Sequence, residues 1–196
     1  CENVTMEYNY SHDNYGPGIT TMSNVGSKIK HNKALRNSRR TAGVYNPDTL
    51  GQVMIGDFSG KSEFVFGTQN TEVTGNTILN DMPGKAAIQF RHVTGNIPWS
   101  NNAISDNNII LSGSGVYAVE IKTGAAADSI QGNKYYVAAG SSFLSKRYDT
   151  LYSSFGAWNT AGFDTTGQLL TYKTNAPQKI TNLAVMRKSK NTLYLT

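Results

Sequence analysis

Residues 71–78, TEVTGNTI, decide how the rest of the chain is read, because near copies of this stretch recur along the sequence. The unit is an alternating apolar segment, one spacer residue, an asparagine, and a second apolar segment. Upstream, SKIKHNKAL puts Ile29, His31 and Asn32 in the places of Val73, Gly75 and Asn76. Earlier still, VTMEYNYSH supplies Met6, Tyr8 and Asn9. Downstream, NAISDNNII supplies Ile104, Asp106 and Asn107, and ADSIQGNKYY supplies Ile130, Gly132 and Asn133. The Asn-to-Asn spacings are 23, 44, 31 and 26, and the longest is two units of about 22 residues. Self-similarity of this length is the mark of a solenoid.

Alternation sends Val73 and its equivalents into a core and Glu72 and Thr74 into water. The strand must then turn. Asparagine tolerates the left-handed backbone region better than other residues with a side chain, so the sequence places it at the corner. Its amide can also bond the asparagine of the next unit, giving a ladder. A second mark follows 7 to 9 residues after the asparagine, in Gly18, Gly84, Gly115 and Gly140. Behind each of these an apolar strand opens. Strand, Asn corner, short strand, Gly-rich turn, strand and loop are the plan of an all-β right-handed parallel β-helix.

Composition agrees. The chain has 196 residues, enough for one domain or several stacked units, and only 16% are charged. Helical three–four spacing of apolar residues is scarce. The single cysteine, Cys1, excludes an internal disulfide. No apolar run approaches the roughly 20 residues of a membrane span. The chain begins without a methionine and Cys1 stands directly before a complete unit. The expectation is the C-terminal part of a longer solenoid; a lipidated Cys1 is the alternative. The net charge of +5 is modest, but residues 28–40, KIKHNKALRNSRR, hold six of the 18 Lys and Arg. That run is either the solvated face of one unit or a patch for a polyanion. Aromatics interleave poorly with it, so nucleic acid is not the expected partner.

The expected organisation is a solenoid with a cap over residues 1–167 and a linker plus β extension over residues 168–196. Residues 46–70 are the least regular, and Asp57 is read there as a substitute for the ladder asparagine. VTGNIP at residues 93–98 reads as a lateral loop, with Pro98 and Trp99 outside the ladder. In residues 148–167, Phe155, Ala157 and Trp158 have helix-compatible spacing and predict a short cap over the open core. APQKITNLAVMRKSKNTLYLT, after it, reads as a proline-led linker and two alternating strands, over residues 181–186 and 192–196. This segment resembles the opening of a fibronectin type III-like or immunoglobulin-like sandwich.

The repeated units, with NVTMEYNYSHDN in the first, resemble the right-handed parallel β-helix repeat superfamily of bacterial secreted proteins. FGAWNTAGFDTTG, at residues 155–167, is similar to the F-x-x-W-x-x-x-G-x-D stretch that follows the last coils in many of them. That superfamily includes pectate lyases, polygalacturonase-like hydrolases, alginate and chondroitin lyases, and phage tailspikes. The resemblance implies a secreted or cell-surface protein that acts on polysaccharide, as lyase or glycoside hydrolase. It equally implies a non-catalytic adhesin, filament or tailspike-type scaffold, because one fold hosts all of these.

Candidate chemistry gathers in the first two units. His12 or His31 is read as a general base and Asp13 as an acid or orienting carboxylate. Arg36, Arg39 and Arg40 are read as a clamp on a uronate carboxylate. Tyr8, Tyr15, Lys30 and Arg91 complete the expected sugar-binding set, with Tyr8 predicted beside His31 by the strand spacing of about 4.8 Å. The competing reading of S-H-D-N is turn chemistry, with Ser, Asp and Asn bonding local backbone. Glu120 and Lys122 read as a surface ion pair, and Arg91 and His92 either line the groove or face solvent. Hydrolysis needs two carboxylates roughly 5 to 10 Å apart, and no strand displays an outward Asp pair. No acid cluster supports calcium, and no His/Cys spacing supports zinc, so no metal or cofactor is expected.

Overall fold

In the computed structural model the described residues are 2–39, 50–57, 67–92 and 98–173, with the backbone of 185–189 and 192–195. The chain passes in rotation through three sheets. The first passage is β1 (Thr5–Glu7), β2 (Tyr10–His12) and β3 (Ile19–Met22); the second is β4 (Lys28–Lys30), β5 (Lys33–Leu35) and β6 (Val53–Gly56). The third is β7 (Glu72–Thr74), β8 (Thr77–Asn80) and β9 (Ala86–Arg91). The fourth is β10 (Ala103–Ser105), β11 (Asn108–Leu111) and β12 (Tyr117–Ile121), and the fifth is β13 (Ser129–Gln131), β14 (Lys134–Ala138) and β15 (Ser145–Arg147). Each strand pairs in parallel with the strand three further along, giving sheets ordered β1-β4-β7-β10-β13, β2-β5-β8-β11-β14 and β3-β6-β9-β12-β15. The protein is therefore all-β with three mostly parallel sheets.

Register follows the repeat. Met6 lies beside Ile29, Ile29 beside Val73, Val73 beside Ile104, and Ile104 beside Ile130. Ile29, Val73 and Ile104 are fully buried. Truncating one of these to alanine would cost about 2–5 kcal/mol, because a stacked column cannot collapse into the hole.

The ladder runs beside this column. Asn9 Nδ2 donates to Asn32 Oδ1 at 2.9 Å, Asn32 to Asn76 at 3.0 Å, Asn76 to Asn107 at 2.9 Å and Asn107 to Asn133 at 2.9 Å. The same oxygens accept backbone N–H groups, from Asn9 to Asn32 Oδ1 through Asn107 to Asn133 Oδ1. Asn32, Asn76, Asn107 and Asn133 are buried, with their amides satisfied, so each rung offsets a burial cost of about 1–3 kcal/mol.

One local expectation is corrected. The ladder asparagines are not the left-handed residues. The residue before each one is: Tyr8, His31, Gly75, Asp106 and Gly132 have φ of 56°, 55°, 65°, 55° and 67°. The spacer turns the chain, and the asparagine spends its side chain on the ladder. A second amide chain, not foreseen, stands at the far end of the second sheet. Asn14 Nδ2 donates to Asn37 Oδ1 at 2.9 Å, Asn37 N donates to Gln52 Oε1, and Gln52 Nε2 donates to Asn80 Oδ1 at 3.3 Å.

After β15 come β16 (Thr150–Tyr152), antiparallel to it, and the helix α1 (Phe155–Thr160). Ser154 caps the helix, its Oγ accepting from Ala157 N at 3.1 Å. Trp158 is fully buried, with Tyr152 and Phe163 ring centroids at 5.1 and 4.3 Å, while Ala157 faces solvent. Phe155 reaches Tyr135 and Phe143 at 5.4 and 5.5 Å. The helix thus lays its aromatic face on the core.

The expected end of the repeat at residue 167 is one strand early. The strand β17 (Gln168–Tyr172) pairs in parallel with β14 over five residues and extends the second sheet. Its outward Gln168, Leu170 and Tyr172 lack the asparagine mark that identified the earlier strands. β18 (Val185–Ser189) and β19 (Thr192–Leu195) form an antiparallel pair; residues 174–184 before it lie outside the described residues. Among the described residues no helix is long and apolar enough to cross a membrane.

Candidate functional site

The left-handed spacer carries its side chain out of the core at the corner between the first and second sheets. In the first two passages that side chain is aromatic. The Tyr8 and His31 rings stack with centroids 5.5 Å apart and planes 17° from parallel. Below them Gly75 supplies a floor: a Cβ there would lie 2.7 Å from His31 Nδ1. Tyr8 is 75% exposed. A left-handed conformation costs a non-glycine residue roughly 1–2 kcal/mol, and this chain holds it at both Tyr8 and His31.

Two residues on, Tyr10 and His12 leave the outer face of β2 with ring centroids 4.9 Å apart. Tyr10 is 61% exposed. An open groove is lined by Tyr8, Asn9, Tyr10, His31, Lys33 and Leu35. Tyr10 and Lys33 are lateral neighbours across β2 and β5. Neither was foreseen, although a shift by the first Asn spacing brings Lys33 onto Tyr10. Lys30 is turned to Glu7, with Nζ 3.0 Å from Oε2.

A charged cluster closes the far end of β2 and β5. His12 Nδ1 lies 3.1 Å from Asp13 Oδ2, and Arg36 Nη2 lies 2.9 Å from the same oxygen. Arg39 Nη2 lies 3.5 Å from Asp13 Oδ1 and 2.8 Å from Asp81 Oδ2. The hydrogen bond from His12 holds the Asp13 carboxyl below its ordinary range; desolvation opposes it, and the individually smaller contributions of Arg36 and Arg39 add to the lowering. The structure therefore brings together a carboxylate pair that no strand shows, Asp13 and Asp81 on one guanidinium nitrogen. A pair that hydrolyses glycosides needs one carboxyl with a raised pKa to donate a proton. Asp13 is displaced in the opposite direction, which suits the orienting carboxylate of the two roles expected for it. Of the arginines expected as a clamp, Arg36 and Arg39 are engaged by the chain's own carboxylates.

Tyr15 is exposed in the loop after β2. Arg40 lies outside the described residues. Arg91 ends β9 in the third sheet, at a different corner of the passage from His12, and its neighbour His92 is the centre of another cluster. His92 Nδ1 bonds Asp57 Oδ2, and Trp99 Nε1 donates to that oxygen at 2.9 Å. Asp57 follows β6 in the third sheet and bonds His92 and Trp99 while Asn32 bonds Asn76 directly, so it is no substitute for a ladder asparagine; His92 is only 14% exposed and does not face solvent. Glu120 is also buried. It accepts from Gln89 Nε2 at 2.7 Å and Lys122 Nζ at 2.9 Å; it alternates with the core residues Val119 and Ile121, so the expected pair does project outward, but its carboxylate is covered rather than open to solvent. Among the described residues no three His, Cys, Asp or Glu side chains converge as a metal site.

Compared with protein-family models, curated proteins and solved structures, the chain gives no match.

Proposed function

We propose that this chain is a right-handed parallel β-helix that binds an acidic polysaccharide on its first two passages, outside the cell or on its surface. The rotation through three parallel sheets supports the fold, and parallel crossovers are overwhelmingly right-handed. The observation that carries the function is the exposed ring set Tyr8, His31, Tyr10 and His12, bordered by Lys33. Flat rings held by a stiff scaffold stack on sugar rings without ordering cost, and Lys33 offers a charge to a uronate. Calorimetric titration with polygalacturonate and a neutral glucan tests this. The expected result is binding of the acidic polymer alone, weakened about tenfold by Tyr8→Ala. Equal binding of the neutral polymer, or none of either, overturns it.

A second reading is that the same site cleaves the polymer by β-elimination. The His12–Asp13 contact favours it, since a carboxylate on Nδ1 orients an imidazole and leaves Nε2 for proton abstraction. The measurement is the ultraviolet absorbance of unsaturated uronate, lost in His12→Ala; binding without any such product removes the catalytic reading and leaves the first.

A further inference from the structure

Six lateral neighbours on the second sheet form an uninterrupted stripe: His12, Leu35, Leu79, Ile110, Tyr136 and Leu170. The pairing register places each beside the next. Leu35, Leu79, Ile110, Tyr136 and Leu170 are half-buried, whereas the alternate positions Ala34, Ile78, Ile109 and Tyr135 are fully buried. The stripe is thus the outer face of the sheet. Its companion column is Tyr10, Lys33, Thr77, Asn108, Lys134 and Gln168. Neither column contains an acid, and Lys33 and Lys134 are exposed. The carboxylates at the end of these strands, Asp13 and Asp81, are bound by Arg36 and Arg39.

A second open groove lies at the other end of the same face. Thr77, Asn108, Ile110, Tyr136, Tyr172 and Lys173 line it, and Thr77 is the lateral neighbour of Lys33 in the first groove. The two grooves share no lining residue but stand on adjoining strands of one sheet face.

We infer that one acidic polysaccharide chain lies across all six strands of this face, from Tyr10 to Tyr172, rather than on the first two passages alone. The inference rests on the polysaccharide reading above and extends it. Three features select this occupant. The two outward columns carry the exposed Lys33 and Lys134 and no acid, which fits a polyanion. Tyrosines at both ends, with aliphatic side chains between, match a ligand that alternates apolar ring faces with charged edges. Strand spacing carries the surface over roughly 24 Å, which requires an extended polymer and not a single sugar.

The test is calorimetric titration with a graded series of oligogalacturonates, from the disaccharide upward, against the whole chain, Tyr172→Ala and Lys173→Glu. Tyr172 and Lys173 lie at the end of β17, outside the buried core, so these variants keep the fold, as circular dichroism would verify. Affinity is expected to rise with length until the oligomer spans the face. Tyr172→Ala is expected to weaken the long oligomers about tenfold and leave the disaccharide unchanged. Long oligomers that bind no better than short ones, or that ignore Tyr172→Ala and Lys173→Glu while responding to Tyr8→Ala, overturn the extended face and spare the first-passage site. Absence of binding by every oligomer removes the polysaccharide reading itself. A solution mass twice that of the chain, returned to a monomer by Tyr172→Ala, would show that a second copy covers the face and would also overturn the inference.

Discussion

Asn133 donates its side-chain amide to Asp164 at 2.9 Å, and a column of amides that begins at Asn9 thereby ends on a carboxylate. Asp164 is fully buried and also accepts the Tyr135 hydroxyl at 2.6 Å. Every rung passes its donor to the next oxygen, so the last acceptor terminates the whole series. Asp164→Ala would strand a hydroxyl and an amide in the core. We expect a loss of about 3 kcal/mol in urea unfolding. Asn9→Ala, at the opposite and half-exposed end, is expected to cost about 1 kcal/mol or less. Equal losses at the two ends would show that the ladder has no anchored terminus.

Gly75 connects this frame to the ring stack. Its φ is +65°, and an added Cβ would meet His31 Nδ1 at 2.7 Å. Gly75→Ala should therefore destabilise by about 1–2 kcal/mol for the backbone alone and shift the His31 ring resonances. Combining it with His31→Ala should restore the part due to the ring and leave the backbone part. A double variant as unstable as the sum of the singles would mean that His31 does not rest on Gly75.

Tyr135 gives an alkaline signature. Burial, and then the negative charge of Asp164, push its phenol well above the ordinary 10.0. The neutral phenol is the folded form, so its stabilisation is complete below 10.0 and is lost as pH rises beyond that value. One of the eleven tyrosines should resist ionisation until the chain unfolds, seen as a late step in phenolate absorbance. Tyr135→Phe should remove that step. A smooth titration of all tyrosines in the native protein would contradict the burial.

How much of this was legible beforehand follows from where the information lies. The unit in residues 71–78 repeats because each passage turns one apolar side chain, from Met6 to Ile130, into the core and bonds the same asparagine, so the ladder and the first-sheet column are written in the residues. The Tyr8–His31 neighbourhood follows from the same alignment. The positive φ was assigned to the wrong member of the pair, since residue type alone favours asparagine there and only the ladder shows what the asparagine is otherwise used for. The end of the repeat was misplaced because β17 replaces the asparagine with Asp164 from a preceding loop. Asp13 with Asp81, and Asp57 with His92, are pairs across passages whose lengths vary. No local spacing encodes them, and a spacing error of one passage hides them entirely. The outward pairing of Glu120 with Lys122 was legible, but the burial of Glu120 was not, for a related reason: its other partner Gln89 is 31 residues away.

The cluster around Asp13 gives an acidic counterpart that also tests the candidate site. His12, Arg36 and Arg39 hold the Asp13 carboxyl below its ordinary 3.8. A depressed carboxyl stabilises the fold above the unfolded value, and that contribution is lost as pH falls through the folded one. The difference in unfolding midpoint between the native chain and Asp13→Asn should thus be constant at neutral pH and vanish on the acid side of 3.8. Because the groups are half-exposed, the difference should be small and should shrink with added salt. Arg39→Ala removes a positive charge from both Asp13 and Asp81, so the Asp13 carboxyl resonance should titrate closer to 3.8 in that variant. An unmoved titration would show that Arg39 belongs to Asp81 alone, and that only His12 and Arg36 set the charge state of Asp13 beside the ring stack.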